Sequence, residues 1–194
     1  MNIQSAVAEG TDILKARSIR TAQLDAEILM AKTLDTNREY IILNNDKNLE
    51  DKNLENFQSL IQERASRKPI AYLLNNKYFW KNQFYVNKNT LIPRPDTEVI
   101  IEQVLKITKN KNKYRILDIG VGSGCILLSI LKERKNFYGT GIDICKNALN
   151  ISKINAKKLL IERRTKLYKS DVDKFTQGKY DLIVSNPPYI KRSD

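Results

Sequence analysis

The sequence predicts an α/β chain in three parts: a small helical bundle over residues 1–75, a β-hairpin and linker over 76–96, and an open parallel-sheet domain over 97–194. Three observations carry this. The first 75 residues place apolar side chains at helical spacing. From Tyr114 onward, short β-branched and aromatic runs alternate with helical stretches, the pattern of βαβ units. A glycine-rich turn, Gly120-Val-Gly-Ser-Gly124, falls where one such strand hands over to a helix.

In order along the chain, Ile3, Val7, Ile13 and Leu14 mark a first helix that Gly10 weakens, because glycine has the largest backbone entropy to lose. Leu24, Ile28, Leu29 and Leu34 mark a second. Thr36-Asn-Arg-Glu39 reads as a capping box, with the Thr hydroxyl on an orphan N–H and the Glu reaching back. It opens a short helix through Tyr40–Leu43. Phe57, Leu60, Ile61 and Arg64 form a fourth helix, which Pro69 ends or restarts. No catalytic residue types cluster here, so the bundle reads as a module that holds a partner protein.

Tyr78-Phe-Trp80 and Phe84-Tyr-Val86, separated by Lys81-Asn-Gln83, read as a hairpin. LIPRPDTE follows, Leu91 to Glu98, made stiff by Pro93 and Pro95, with Asp96 or Thr97 placed to cap a helix over Glu98–Thr108. Arg94 sits between the prolines with its direction fixed, though the stretch also suits a rigid linker. Tyr114–Ile119 is the first strand of the sheet and carries Asp118 just before the glycine turn; Cys125–Leu131 is the helix after it. The glycines permit close backbone approach, and the helix N-terminus presents free N–H groups. Tyr138–Ile142 is the second strand and ends at Asp143, 23 residues after Gly120. An acid at that place suits the two hydroxyls of a ribose. The G-x-G-x-G spacing, preceded by an acid, disfavours a pyrophosphate and favours a compact adenosyl ligand with a charged amino group. Ala148–Leu160 is the next helix and Thr165–Tyr168 the third strand, with Asp171 and Val172 after it.

Asp181–Ser185 reads as a fully apolar, buried fourth strand. It delivers Asn186, Pro187, Pro188 and Tyr189 to its carboxyl end, where ligands bind in open α/β sheets. The Asn186 side-chain oxygen and the Pro187 carbonyl are two acceptors, held by a turn that the prolines stiffen. Tyr189 offers a flat face for stacking. Together they suit a planar NH2 group held by both hydrogens; the same residues also serve as a plain strand-ending turn.

Composition narrows the function classes. Hydrophobic content of 41% and charged content of 29% are globular values. There is no histidine, and Cys125 and Cys145 stand apart, which argues against zinc or a disulfide framework. No apolar run reaches membrane-span length and no signal-peptide pattern opens the chain, so a cytoplasmic protein without membrane or metal is expected. The net charge of +12 is uneven. Residues 1–75 hold ten Lys/Arg against eleven Asp/Glu, and residues 76–194 hold twenty-four against eleven. A basic half suits work near nucleic acid or a ribosome. Lysine-rich composition bias accounts for it equally well.

On LIPRPDTE, DIGVGSG, GID and NPPYI, with a helical region before them, the chain resembles the class I S-adenosylmethionine-dependent methyltransferases, and within them the bacterial release-factor glutamine methyltransferases. The resemblance implies a Rossmann-like domain and S-adenosyl-L-methionine as cofactor. It implies methyl transfer to the side-chain amide nitrogen of the glutamine in the Gly-Gly-Gln motif of peptide-chain release factors, the partners implied for the helical region. Gly120, Val121, Gly122, Ser123 and Gly124 match the cofactor loop, Asp118 the acid near the methionine end, and Asp143 the ribose ligand. Asp171 and Val172 match adenine-side positions. Asn186, Pro187, Pro188 and Tyr189 match the substrate-amide clamp, with Asn186, Pro187 and Tyr189 carrying the catalytic roles, Asn186 also among the cofactor-binding positions and Arg94 on the substrate side. Asn75 and Asn76 stand where relatives have a glycine, and Cys145 where they have a serine cap. NPPY is shared with adenine-N6 DNA and RNA methyltransferases, so nucleic-acid methylation is the alternative activity, and a non-catalytic remnant that binds a partner is another. The family sheet has seven strands in the order 3-2-1-4-5-7-6. Only four follow Lys111, so the chain reads as C-terminally truncated, with its fourth strand at an edge, a basic half of low stability and weak cofactor binding expected.

Overall fold

In the computed structural model, residues 1–187 are described, and they divide into two compact units, Met1–Asn75 and the residues from Asn76 onward. The first unit consists of α1 (Ile3–Ala16), α2 (Ala22–Thr33), α3 (Arg38–Leu43), α4 (Asp51–Ala65) and α5 (Ile70–Leu74). Its core gathers Ile3, Leu14, Leu29, Met30, Phe57 and Ile61. Gly10 does not interrupt α1. A Cβ there would stand 2.9 Å from the ring of buried Phe57, so the missing side chain is what admits α4 against α1. The α3 cap is Asn37, not Thr36: its side chain accepts the Tyr40 N–H at 2.8 Å. The amide oxygen one residue later reaches the same first turn, which makes the box unnecessary.

The buried face of α2 also differs from the apolar pattern. Leu24 is exposed, whereas Asp25 and Glu27 are buried among alanines, Leu29 and Met30. Arg64 of α4 donates to Asp25 at 2.7 Å, and Arg38 of α3 pairs with Glu27. These pairs let acidic side chains face inward, because each lost hydration shell is replaced by a guanidinium.

The second unit opens with an antiparallel hairpin, β1 (Asn76–Phe79) and β2 (Asn82–Tyr85). Its turn is the two residues Trp80-Lys81, not Lys81–Gln83, and Trp80 adopts φ +53°. A two-residue hairpin loop requires positive φ to follow the strand twist. Trp80 is held there by its backbone N–H on the Glu98 carboxylate and its indole N–H on Glu133. Then follow α6 (Glu98–Ile107), β3 (Arg115–Ile119), α7 (Cys125–Glu133), β4 (Tyr138–Asp143), α8 (Lys146–Lys158), β5 (Thr165–Lys169) and β6 (Leu182–Ser185). The last four strands form one parallel sheet in the order β5-β4-β3-β6. The chain runs outward from β3 to β5 and then returns to β6 on the other side of β3. The strand order therefore reverses between β3 and β6, which is where open sheets hold ligands at their carboxyl ends. β6 is not fully buried: Val184 is, but Ile183 is 58% exposed, as an edge position allows.

Asp118, on β3, faces inward and is 2% exposed. Burial raises its carboxyl to about 7; a hydrogen bond from the Leu127 N–H in the first turn of α7 partly offsets this, and the nearby Asp143 charge adds to it.

Two outcomes follow from these buried acids. Asp25→Ala leaves the partly buried Arg64 guanidinium with only the Lys68 carbonyl among the described residues and is expected to cost about 3 kcal/mol by denaturant unfolding; a loss below about 1 kcal/mol would show that Arg64 finds water instead. For Asp118, the folded chain keeps a proton between about pH 4 and 7 that the unfolded chain releases, so its contribution falls as pH rises through that window. The melting temperature of Asp118→Asn, measured against the parent, is expected to gain steadily from pH 4.5 to 7.5. Parallel curves would show an ordinary carboxylate.

Candidate active site

The glycine turn after β3 is the first component. Gly120, Gly122 and Gly124 all have positive φ (+74°, +54° and +81°), so the turn requires three residues without a Cβ penalty in the left-handed region. A Cβ on Gly120 would meet nothing within 4 Å, so this part of the loop faces open space. Gly124 enters α7, where a Cβ would stand 2.8 Å from Leu128.

The loop is fixed from three sides. Gly120 and Val121 donate to the Ile142 carbonyl at the end of β4, each at 2.9 Å. Asp143, the next residue, accepts the Gly122 N–H at 3.0 Å on one oxygen and the Cys145 N–H at 2.8 Å on the other. Cys145 makes no side-chain cap of α8, so Asp143 ties both the glycine turn and the helix entry. From α8, the Ser152 hydroxyl donates to the Gly122 carbonyl at 2.7 Å. The buried Asn155 amide donates to the Ser123 carbonyl at 2.8 Å and the Tyr85 carbonyl at 3.0 Å, and it accepts the Tyr85 N–H at 2.7 Å. Ser152 and Asn155 escaped the sequence reading, since a Ser and an Asn inside a lysine-rich helix carry no local signal of partners some thirty residues away.

Asn186 follows β6 and is half-buried. Its Nδ2 donates to Thr97 Oγ1 at 3.1 Å. Thr97 therefore does not cap α6 with its side chain; it ends a short 3-10 turn, Pro95–Thr97, and is buried with its hydroxyl toward Asn186. Among the described residues, Asn186 Oδ1 accepts no hydrogen bond. Beside it, the Ser185 hydroxyl donates to the Ile119 carbonyl at 2.9 Å and secures β6 to the base of the glycine turn.

Two cavities share Leu91, Gly120, Gly122 and Asn186. The larger, about 420 Å³, adds Asp143, Asp171 and Val172, with Ile142 and Ile144 among its apolar walls. The smaller, about 60 Å³, adds Arg94, Thr97, Val121, Ser123 and Cys125. Sequence-nominated residues from five separate stretches (Arg94, residues 120–123, Asp143, Asp171 with Val172, and Asn186) thus meet at the carboxyl end of the sheet. Asp118 and Gly124 line neither cavity: one is packed behind the loop, the other begins α7. Pro187 is exposed and lines neither, and Pro188 and Tyr189 lie outside the described residues.

The donor set suits an adenosyl group. Ile144 at 68% exposure, Leu91 at 54% and Val172 at 49% leave apolar surface open around a carboxylate, which gives a planar apolar ring a place beside an acceptor for hydroxyls. Cys125 is not a nucleophile here, because burial pushes its thiol up to about 12. Among the described residues, no group of three His, Cys, Asp or Glu could hold a metal ion, and no helix is long and apolar enough to cross a membrane.

Comparison with known proteins identifies the family. Residues 5–74 match the PrmC N-terminal domain, and residues 96–194 match the methyltransferase small domain. The chain is 36% identical to the release factor glutamine methyltransferase of Shewanella oneidensis, over 98% of this chain and 68% of that one. It is 38% identical to the enzyme of the same name from Leptospira interrogans, over 100% and 69%, and 37% identical to that from Clostridium botulinum, over 98% and 69%. The chain belongs to the release factor glutamine methyltransferases.

Proposed function

We propose that the chain transfers a methyl group from S-adenosyl-L-methionine to the side-chain amide nitrogen of the glutamine in the Gly-Gly-Gln motif of a peptide-chain release factor. The observation that carries this is the anchored amide of Asn186: Nδ2 is committed to Thr97, which leaves Oδ1 as an acceptor at the wall shared by the two cavities. The cofactor supplies a sulfonium methyl, an electrophile that needs an in-line lone pair.

An amide nitrogen is a poor nucleophile because its lone pair is delocalised into the carbonyl. Asn186 Oδ1 and the Pro187 carbonyl, as two acceptors, bind the two N–H hydrogens, draw density onto nitrogen and set its direction. This is catalysis by positioning and fixed dipoles, with no acid or base required. The nitrogen becomes acidic once alkylated, and its proton then leaves to water. Gly120 and Gly122 permit backbone approach to the adenosyl group, Asp143 faces its ribose, and Asp171 and Val172 border the ring. Arg94 stands on the side of the smaller cavity, toward the substrate. Pro188 and Tyr189 complete the clamp in this reading. The helical unit, matched to the N-terminal domain of the family, holds the release factor.

Incubation with labelled cofactor, a release factor and, separately, RNA or DNA tests the reaction; label on nucleic acid and none on release factor would overturn it. Asn186→Ala is expected to abolish transfer while leaving most cofactor affinity intact. Asp143→Ala is expected to weaken cofactor binding first, by about 1.5–3 kcal/mol for lost hydrogen bonds to a charged group. Equal loss of binding in both variants would contradict this division. Thr97→Val keeps the volume but removes the acceptor that orients Asn186. It is expected to lower kcat about tenfold, or ~1.4 kcal/mol of barrier, with cofactor affinity unchanged and with recovery in Thr97→Ser. A Val variant as fast as the parent would show that Asn186 orients itself.

A further inference from the structure

At the other end of the sheet, by the amino-terminal ends of β3 and β4 and alongside β5, lies a separate cavity of about 360 Å³. Its cationic lining comes from Arg115, Arg163, Arg164, Lys166 and Lys179, and no Asp or Glu lines it. Arg164 is committed to the fold: its guanidinium donates to the carbonyls of Leu131, Arg134 and Phe137, closing the end of α7. The other four are exposed, and among the described residues none of them forms an ion pair. Concentrating four unpaired like charges on one concave surface works against folding through mutual repulsion, so an anionic partner is the natural complement.

Three tyrosines share the same walls: Tyr138, Tyr168 and Tyr180. Tyr138 is 47% exposed at the start of β4. Tyr168 and Tyr180 flank Phe175, with ring centroids 5.8 and 6.4 Å from it, so these two tyrosines of the wall are braced by a ring that does not itself line the cavity. An acidic peptide would use the cations and ignore the rings. Single-stranded nucleic acid uses both: phosphates on Lys and Arg, bases on aromatic faces. The place also fits docking better than chemistry, since ligand-binding loops of a parallel sheet gather at its carboxyl end and this cavity is at the opposite one.

We propose that this surface binds single-stranded RNA, with Arg115, Arg163, Lys166 and Lys179 on the phosphates and the tyrosines against unstacked bases. It is a docking site and stands apart from the methyl-transfer centre.

The test is fluorescence anisotropy of the intact chain with a labelled uridine-rich RNA of about 12 nucleotides, inside the range of single-strand binders, across about 50–200 mM salt. Binding is expected to weaken with salt. In the double variant Arg163→Gln, Lys166→Gln the log–log slope is expected to shrink by about 1.4, at ~0.7 for each single-strand phosphate contact, while methyl transfer to release factor stays at the parent rate. Charge-matched polyglutamate is expected to bind far more weakly than RNA. Absence of RNA binding by the parent chain, an unchanged slope in the variant, or equal binding of polyglutamate would each overturn the proposal. Photocrosslinking of thiouridine-containing RNA to the unmodified protein does not depend on how the variant folds: crosslinks at Tyr138 or within residues 163–180 support the site, and crosslinks confined elsewhere overturn it.

Discussion

The hydrogen bonds between the end of β4 and the glycine turn after β3 are the constraint on which the rest of the site depends. A loop with three glycines is costly to order, because each glycine loses more conformational freedom than any other residue. Here the Ile142 carbonyl takes two of its N–H groups and Asp143 takes a third, while Ser152 and Asn155 hold two of its carbonyls. Five of the loop's backbone polar groups are thus satisfied by the same elements that form the cavity wall. That arrangement couples the shape of the cavity to fold stability: the Asp143 carboxylate is both a wall of the larger cavity and a strut of the turn.

A second coupling joins the two sides of the site. Asn186 arrives on β6 and Thr97 on the segment that precedes α6, eighty-nine residues apart in sequence. β6 reaches Asn186 in register because it pairs with β3, Ile119 opposite Ser185, so the glycine turn and the amide leave adjacent strands at the same height. The reversal of strand order between β3 and β6 is what makes this meeting possible. A side-chain amide left free can rotate; one donating to a buried hydroxyl presents a fixed oxygen.

The parts legible in the sequence were those with local causes. Strand, glycine turn and helix declare themselves through φ requirements and periodicity, and the spacing from Gly120 to Asp143 follows from one βαβ unit. What was not legible depended on distant partners. Asp25 and Glu27 read as the polar face of α2, and only the arginines of α4 and α3 allow them inward. Thr97 read as a helix cap, and its real partner is on β6. Trp80 in the left-handed region had no local signal, since aromatic residues rarely adopt it. Asn75 was half legible: it adopts φ +54°, a conformation that asparagine tolerates better than most residues.

The parallel sheet also explains why chemistry and charge separate within one unit. All four strands point the same way, so every loop that can close on a ligand collects at one end, where the lining is apolar with the carboxylates of Asp143 and Asp171. The other end receives the chain returning from helices, whose last turns favour cations near their carbonyls. Arg164 serves that need directly, on the carbonyls at the end of α7 and beyond. The four exposed cations around it have no such internal task. A charge concentrated where the fold does not use it, next to aromatic rings that remain accessible, is better accounted for by a ligand than by lysine-rich composition, which would scatter both.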